Sequence, residues 1–214
     1  MFGKWEALLI VLLYIHGGSG HGMMLEPPNR SSLWRFPDEF PNAVPNYDDN
    51  QNYCGGLNVQ WSTFQGKCGV CGDCYDRPHP QDNENTGKYG RGIVARSYQA
   101  GTTIPIEIDL TTNHLGYFEY SICVLEDPNA PESGEDCFKP IKLGDGSSQY
   151  NVSATENIIN HTVILPAGLI CDRCVLRWHY NAGNNWGECD DGSYKEGCGP
   201  QETFRSCADI SIHS

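Results

Sequence analysis

Residues 104–118 read IPIEIDLTTNHLGYF, and this stretch decides the predicted fold class. Residues 104–110 alternate apolar and polar side chains, which is typical of a strand with one buried face. A second alternating run, residues 117–125, follows a short break of polar residues and glycine. The pattern therefore predicts two neighbouring strands and places His114 in the tight turn that joins them.

Further strands are predicted on both sides of this pair, and helical periodicity is nearly absent. Residues 22–90 are rich in Pro, Asn, Asp and Gly, which is typical of long loops. Short helices are predicted only near residues 31–35 and 56–61. The sequence thus predicts an all-β fold, an immunoglobulin- or fibronectin-like antiparallel β-sandwich with long disulfide-stapled loops and short helices. The further predicted strands are residues 93–98, 158–165, 174–180 and 208–212.

The beginning of the chain has the pattern of a secretory signal peptide, residues 1–20. Lys4 precedes a short apolar run, and Gly18 and Gly20 supply the small residues of a cleavage site. We predict cleavage after Gly20, a secreted extracellular protein, and a single domain over residues 21–214. Surface exposure is also predicted for three glycosylation sequons, at Asn29, Asn151 and Asn160.

Export also sets the expected chemistry of the eleven cysteines, which is an odd number for a protein that forms disulfides. We predict a local disulfide between Cys123 and Cys137, which flank an acidic loop that contains proline. The other pairings stay open. The Cys-x-x-Cys spacings that begin at Cys68 and Cys171 also resemble halves of a zinc site, although an oxidising compartment favours disulfides.

The charge balance narrows the class of partner. The net charge is −13, with 27 acidic and 14 basic residues. Such a chain lacks the basic footprint that binds nucleic acid or an anionic membrane, and no run of apolar residues after the leader is long enough to cross a bilayer. An uncharged polymer such as a neutral polysaccharide fits this balance, and we expect a monomer.

Cleavage after Gly20 would make His21 the first residue of the mature protein. An N-terminal histidine offers two nitrogen ligands, the α-amine and the imidazole. His114 in the predicted turn and Phe204, just before the last strand, are the other candidate site residues. The remaining histidines have no partner at ligand spacing, and His179, which alternates with a buried face, is predicted to be solvent-facing. The chain carries no HExxH motif, nucleophile elbow or phosphate loop, which disfavours those enzyme classes.

Six motifs extend over almost the whole chain after residue 20. They are His21-Gly22, residues 68–73 (CGVCGD), 113–118 (NHLGYF), 174–178 (CVLRW), 183–187 (GNNWG) and 197–210 (GCGPQETFRSCADI). With these motifs in this order, the chain resembles the lytic polysaccharide monooxygenases, most closely auxiliary activity family 15 of animals and arthropods.

The resemblance implies one copper ion held by a histidine brace. The α-amine and ring of His21 and the ring of His114 would form a T-shaped set of three nitrogen ligands, which suits Cu(II). Phe204 maps onto the axial position, where the family has Tyr or Phe. Either Gln201 or Glu202 would supply a hydrogen bond beside the oxidant, with a solvent-facing position as the alternative for each.

The resemblance also implies a reaction. An external electron donor would reduce the copper, O2 or H2O2 would be the co-substrate, and C1 or C4 beside a glycosidic bond of an insoluble polysaccharide would be oxidised, with chitin favoured over cellulose. Residues 22–53 would form much of a flat polymer-binding face. There Tyr47 and Trp34 are candidates for stacking on sugar rings, with burial as the alternative. Cys74 departs from the family pattern and is predicted to be the unpaired cysteine.

Two other functions stay open on the sequence alone. A non-catalytic chitin- or cellulose-binding module would use the same fold and surface, and it would adsorb to the polymer without oxidising it. A copper-binding protein would use the brace without acting on polysaccharide. Oxidised products, adsorption and copper affinity discriminate among the three.

Overall fold

The fold is built from eleven β-strands in a computed structural model that describes residues 20–214. The predicted signal peptide, except for Gly20, lies outside the described residues. The strands are β1 His21–Glu26, β2 Arg96–Gln99, β3 Thr103–Thr112, β4 Tyr117–Val124, β5 Lys139–Leu143, β6 Tyr150–Asn151, β7 Ile158–Ile164, β8 Cys171–Asn181, β9 Trp186–Glu188, β10 Tyr194–Glu196 and β11 Thr203–His213.

The main sheet curls into two packed layers. Its strand order is β1-β3-β7-β5-β4-β8-β11-β2, with β6 added beside β4. Because β5 pairs with both β7 and β4, it joins the layer that contains β3 to the layer that contains β8. The predicted all-β sandwich is confirmed. One edge differs from the antiparallel prediction, since β2 runs parallel to β11.

The core fills the space between these two layers. The alternation in β3 buries every second side chain, from Ile104 to Leu110, against the facing layer. Burying such side chains contributes roughly 1.5–3 kcal/mol each. The opposing layer supplies mainly large aromatic side chains, which are Phe118, Tyr120, Trp178, Tyr180 and Phe204.

The loop prediction for residues 22–90 is wrong at its start. His21–Glu26 forms β1, which pairs with the edge of β3 through a register with two irregularities. The segment HGMMLE does not alternate, so periodicity could not reveal it. Farther along, the two predicted short helices are confirmed as the 3-10 helix Leu33–Arg35 and the π-helix Val59–Thr63, and a third short helix spans Glu135–Cys137.

Disulfides staple the loops to the sandwich. The predicted bond between Cys123 and Cys137 is confirmed, and among the described residues Cys74 is the free cysteine, also as predicted. The zinc alternative is wrong because every cysteine of the two Cys-x-x-Cys spacings is in a disulfide. The other four pairs are Cys54–Cys68, Cys71–Cys207, Cys171–Cys174 and Cys189–Cys198.

A buried ion network ties the loop after β1 to the last strand. The Arg30 guanidinium donates two hydrogen bonds to the Asp209 carboxylate, at 2.9 and 2.7 Å, and a third to Glu132 at 2.7 Å. All three side chains are buried. The sequon at Asn29, next to Arg30, was predicted to lie on the surface, and this prediction is wrong. Asn29 is 1% exposed, and its side-chain amide donates hydrogen bonds to the Met24 carbonyl and the Ser32 hydroxyl.

In residues 20–214 no helix is both long and apolar enough to cross a membrane.

Candidate metal centre

The predicted site residues converge at one end of the sandwich. His21 begins β1 and lies opposite Thr112 at the end of β3, two residues before His114. In the other layer Phe204, at the start of β11, is paired with Tyr180 near the end of β8. The topology therefore gathers residues that are up to 183 positions apart in the sequence at this edge.

The turn between β3 and β4 fixes the backbone of His114. The Asn113 side-chain oxygen accepts a hydrogen bond from Leu115 N–H at 2.8 Å, and Leu115 and Gly116 both have positive φ, at 57° and 81°. A Cβ on Gly116 would lie 2.0 Å from the Asn181 carbonyl oxygen, so only glycine fits.

The backbone of His114 is held from the neighbouring β8 strand as well. Its N–H donates to the Tyr180 hydroxyl at 3.0 Å, and its carbonyl accepts from Gly183 N–H at 2.8 Å. With the turn geometry, these two bonds leave His114 little freedom to move.

The ring of His114 has a nitrogen, Nδ1, that can take a ligand. The residue is 8% exposed, and its Nδ1 is buried without a hydrogen-bond partner anywhere in residues 20–214. Glu202 Oε2 is 3.6 Å from this atom, which is beyond a normal hydrogen bond. A buried nitrogen without a partner is unfavourable unless something binds it, so His114 fits a role as a metal ligand.

Gly20 fills the space around this nitrogen. Its N–H donates to Glu202 Oε2 at 2.7 Å. A Cβ built on Gly20 would lie 3.1 Å from His114 Nδ1 and 3.0 Å from two ring carbons of Phe204. The residue directly before His21 therefore sits among the side chains of His114, Phe204 and Glu202.

Phe204 forms the apolar wall of this space. Its side chain is fully buried, and its ring stacks on Tyr180 with ring centres 5.6 Å apart. Tyr53 packs on it at 6.5 Å. Phe204 has no oxygen or nitrogen atom in its side chain, so it can exclude water here but cannot ligate a metal.

The structure separates the two candidates Gln201 and Glu202. The Gln201 amide donates to the carbonyls of Asn185 and Cys198 and accepts from Asn185 N–H, so its polar atoms clamp a loop. Glu202, in contrast, faces Gly20 and His114. Glu202 is therefore brought together with the predicted site residues, and the side chain of Gln201 is not.

The aromatic candidates occupy the loop after β1. Tyr47 is 80% exposed, whereas Trp34 is partly buried and packs edge-on against it with ring centres 5.2 Å apart. The Arg35 guanidinium lies over the Trp34 ring, 5.0 Å from its centre. Tyr47 is thus free to meet a ligand, and Trp34 supports it.

The β9–β10 hairpin presents a second aromatic surface, of which the sequence analysis identified only Trp186, within the motif of residues 183–187. Trp186 and Tyr194 are 72% and 68% exposed. Trp186 pairs with Glu196, two residues along from Tyr194, so both aromatic rings lie on the same face of the hairpin. Strands of three residues are too short for their periodicity to be recognised. The available signal for an aromatic surface was the position of Trp186 and Tyr194 close to the Cys189–Cys198 pair.

The donor set fits copper held by few side chains. Within the described part of the chain, no group of three or more His, Cys, Asp or Glu side chains could hold a metal. Two histidine rings and one α-amine would nevertheless give three ligands for a metal, because the amine belongs to the backbone and needs no third side chain. Nitrogen ligands of this kind suit Cu(II), so the residues present fit the implied metal.

Comparisons with known proteins define the class. The family described as "Lytic polysaccharide mono-oxygenase, cellulose-degrading" matches residues 21–210. The chain therefore belongs to the lytic polysaccharide monooxygenases, which are copper-dependent oxidoreductases. A solved structure of the auxiliary activity family 15 enzyme from Thermobia domestica, in its Cu(I) state, is 42% identical with a TM-score of 0.85, over 90% of this chain and 98% of that one. The resemblance to family 15 is thereby confirmed.

Two other solved structures match the chain with much lower similarity. The copper complex of the cellulose-active enzyme CelS2 is 16% identical, with a TM-score of 0.48, over 89% of this chain and 98% of that chain. A chitin-binding domain from Burkholderia pseudomallei is 11% identical, with a TM-score of 0.48, over 91% and 100%. No curated protein matches the chain.

Proposed function

We propose that this enzyme is secreted, loses residues 1–20, and oxidises a crystalline polysaccharide with one copper ion held by His21 and His114. The observation that carries the proposal is the position of Gly20, whose backbone lies among His114 Nδ1, Phe204 and Glu202. Removal of Gly20 opens that space and creates a free α-amine on His21 at its border.

The ligands would be the α-amine and ring of His21 and the ring of His114. Before cleavage the His21 nitrogen belongs to a peptide bond and cannot ligate. A free α-amine has an ordinary pKa of about 8, so it loses its proton for a metal at little cost. When bound and reduced by an external donor, copper would supply the activation of O2 or H2O2 for oxidation beside a glycosidic bond.

The surrounding side chains would prepare the site for this chemistry. Tyr180 and Gly183 hold the His114 backbone, so the ring needs little reorganisation when the ligand set forms. Phe204 keeps one side of the space dry and offers no oxygen ligand. Glu202 loses its bond to Gly20 on cleavage, which leaves its carboxylate able to hold a proton or a hydrogen bond in the opened space.

The exposed aromatic rings suggest how the polymer would be held. Tyr47 in the loop after β1 and Trp186 and Tyr194 on the hairpin offer flat apolar faces to solvent. Stacking on sugar rings suits such residues, because large exposed apolar groups commonly mark binding surfaces. We propose chitin as the favoured substrate and cellulose as the second, with oxidation at C1 or C4.

Product analysis tests this function. Protein whose N-terminus is verified as His21 is loaded with copper and incubated with chitin or cellulose and ascorbate, with and without peroxide, and the released sugars are analysed by mass spectrometry. Oxidised oligosaccharides from either polymer are the expected result. His114→Ala should abolish them, while His213→Ala, at an exposed histidine, should not.

The same samples separate the alternatives. Adsorption to the polymer with only unoxidised sugars would indicate a binding module. Tight copper binding without adsorption or oxidation would indicate a copper-binding protein. Either result would overturn the proposed activity.

A further inference from the structure

A cavity lies on the outer face of the sheet, behind β8 and β11, the strands that carry Tyr180 and Phe204. It has a volume of about 410 Å³. Along β8, the side chains of Trp178 and Tyr180 face the core, and those of Arg177 and His179 alternate to the opposite face and line the cavity. Arg205 of β11, paired with His179, completes this wall. The prediction that His179 is solvent-facing is wrong in part, because the residue is half-buried.

The wall of the cavity presents hydrogen-bond donors. Arg205 Nε–H donates to His179 Nδ1 at 3.1 Å, so the proton of the neutral imidazole is on Nε2, which is a donor. Burial, together with Arg205 and Arg177, lowers the pKa of His179 well below its ordinary value, so the ring stays neutral. The Ser121 hydroxyl accepts from Arg177 Nε–H at 3.1 Å, which leaves its own hydrogen to donate.

Two guanidinium groups here share one carboxylate. Glu135 accepts from Arg177 Nη1 at 2.9 Å and also pairs with Arg205 Nη1. Each guanidinium keeps its Nη2 group without a hydrogen bond to any residue in 20–214. Neither Nη2 atom is among the buried polar atoms without a partner, so both can meet a ligand from the cavity, and the fork of a guanidinium matches a carboxylate or another oxyanion.

The charge on Arg177 is only partly compensated. The residue is 8% exposed, and its guanidinium lies 4.0 Å from the centre of the Phe138 ring. Burial and the neighbouring Arg205 outweigh Glu135 and lower the pKa of Arg177 to about 10. Burying a cation without enough negative charge is costly, and an anion in the cavity would reduce that cost.

The charged groups at the rim of the cavity do not cancel its preference for an anion. Lys142 is exposed and donates to Ser148 at 2.6 Å, adding a third cation. Glu119 is the carboxylate on the cavity wall, and it accepts from Gln149 at 2.9 Å. Three basic groups thus face Glu119 and Glu135, which leaves one net positive charge in a chain whose total is −13.

We propose that this cavity binds a small organic oxyanion, of the carboxylate or enediolate class, through Arg177, Arg205 and the His179 ring. Its position on the outer face separates it from the proposed copper site, which opens at the sandwich end. An anion could therefore be bound while the site end is covered by a polymer.

Nuclear magnetic resonance of the arginine Nε–H groups tests the proposal. The full mature chain is kept anaerobic with its copper as diamagnetic Cu(I) and is titrated with sulfate, gluconate or ascorbate at constant ionic strength. Saturable shifts of the Arg177 and Arg205 signals with gluconate or ascorbate are expected, and which of the two binds more tightly distinguishes a sugar acid from a reducing enediolate. Saturation by sulfate alone, or by none of the three, would overturn the proposal.

Variants show whether the cavity is responsible. Arg205→Gln should weaken binding at least about tenfold, since a hydrogen bond to a charged group contributes ~1.5–3 kcal/mol. Lys142→Gln, at an exposed position where folding is not at risk, should weaken binding about threefold or less, as expected for a solvent-exposed charge. Arg91→Gln, at an exposed arginine elsewhere, is the matched control. Equal affinity in the Arg205, Lys142 and Arg91 variants would contradict the assignment.

Discussion

Tyr180→Phe should destabilise the protein and weaken copper binding together. The change removes the hydroxyl that accepts the His114 N–H at 3.0 Å, while the fully buried ring can stay stacked on Phe204. A buried N–H left without a partner costs about 1–3 kcal/mol. For a domain of this length, each kcal/mol lowers the melting temperature by about 2–4 °C, so a decrease of about 2–12 °C is expected.

The effect on copper follows from the same bond. A freer His114 backbone places its ring less reliably, and loss of such supporting contacts typically weakens metal affinity about 10–100-fold. Circular dichroism melts and calorimetric copper titration measure the two effects. Tyr194→Phe is the matched control, because its exposed hydroxyl bonds Glu188 and its loss should change stability by less than about 0.5 kcal/mol. Unchanged melting and copper affinity in Tyr180→Phe would refute this account of how His114 is positioned.

Three further predictions concern the scaffold. Gly116→Ala should prevent the turn at His114 from forming, because the alanine Cβ would lie 2.0 Å from the Asn181 carbonyl oxygen. Poor secretion and loss of copper binding are the expected results. Normal yield with normal copper affinity would contradict the turn geometry. Arg30→Gln should cost about 3–5 kcal/mol in denaturant unfolding, since it leaves the buried Glu132 without its cation and the buried Asp209 with only Arg173, at 3.5 Å; a loss below 1 kcal/mol would argue against a buried network. Burial raises the pKa of Asp73 from 3.8 to about 6, so the folded state binds the Asp73 proton more tightly than the unfolded state does. About 3 kcal/mol of stability should therefore be lost as pH rises from about 4 to 6. Asp73→Asn should flatten this dependence of stability on pH, and an unchanged dependence would refute the assignment to Asp73.

The sequence predicted the parts of the fold that repeat a pattern. β3 alternates cleanly and β4 keeps an apolar face with Phe118, Tyr120 and Ile122, so their positions and the turn at His114 followed directly. Alternation of apolar and polar residues could not predict β1, because an edge strand with an irregular register has little periodicity. The β9–β10 hairpin was missed for the same reason, and so was the exposed ring of Tyr194, although Trp186 belongs to the motif of residues 183–187.

The candidate site, like the fold, was predictable from the sequence only in part. His21, His114 and Phe204 came from motifs, but their convergence depends on pairings such as Phe204 with Tyr180, which residue spacing does not encode. Neither could the sequence decide between Gln201 and Glu202, because both lie in the irregular segment just before β11, where periodicity does not fix the direction of a side chain. The position of Gly20 between His114 and Phe204 became visible only in three dimensions.

Copper titration of two N-terminal forms tests the central claim most directly. One form begins at His21 and the other retains Gly20, whose N–H is bonded to Glu202. Calorimetry with electron paramagnetic resonance should show one tightly bound Cu(II) with nitrogen ligands in the first form and an affinity at least about 100-fold weaker in the second, because the amine ligand is displaced and the space is filled. Equal affinity and identical spectra in the two forms would contradict a metal site built on the amino group of His21.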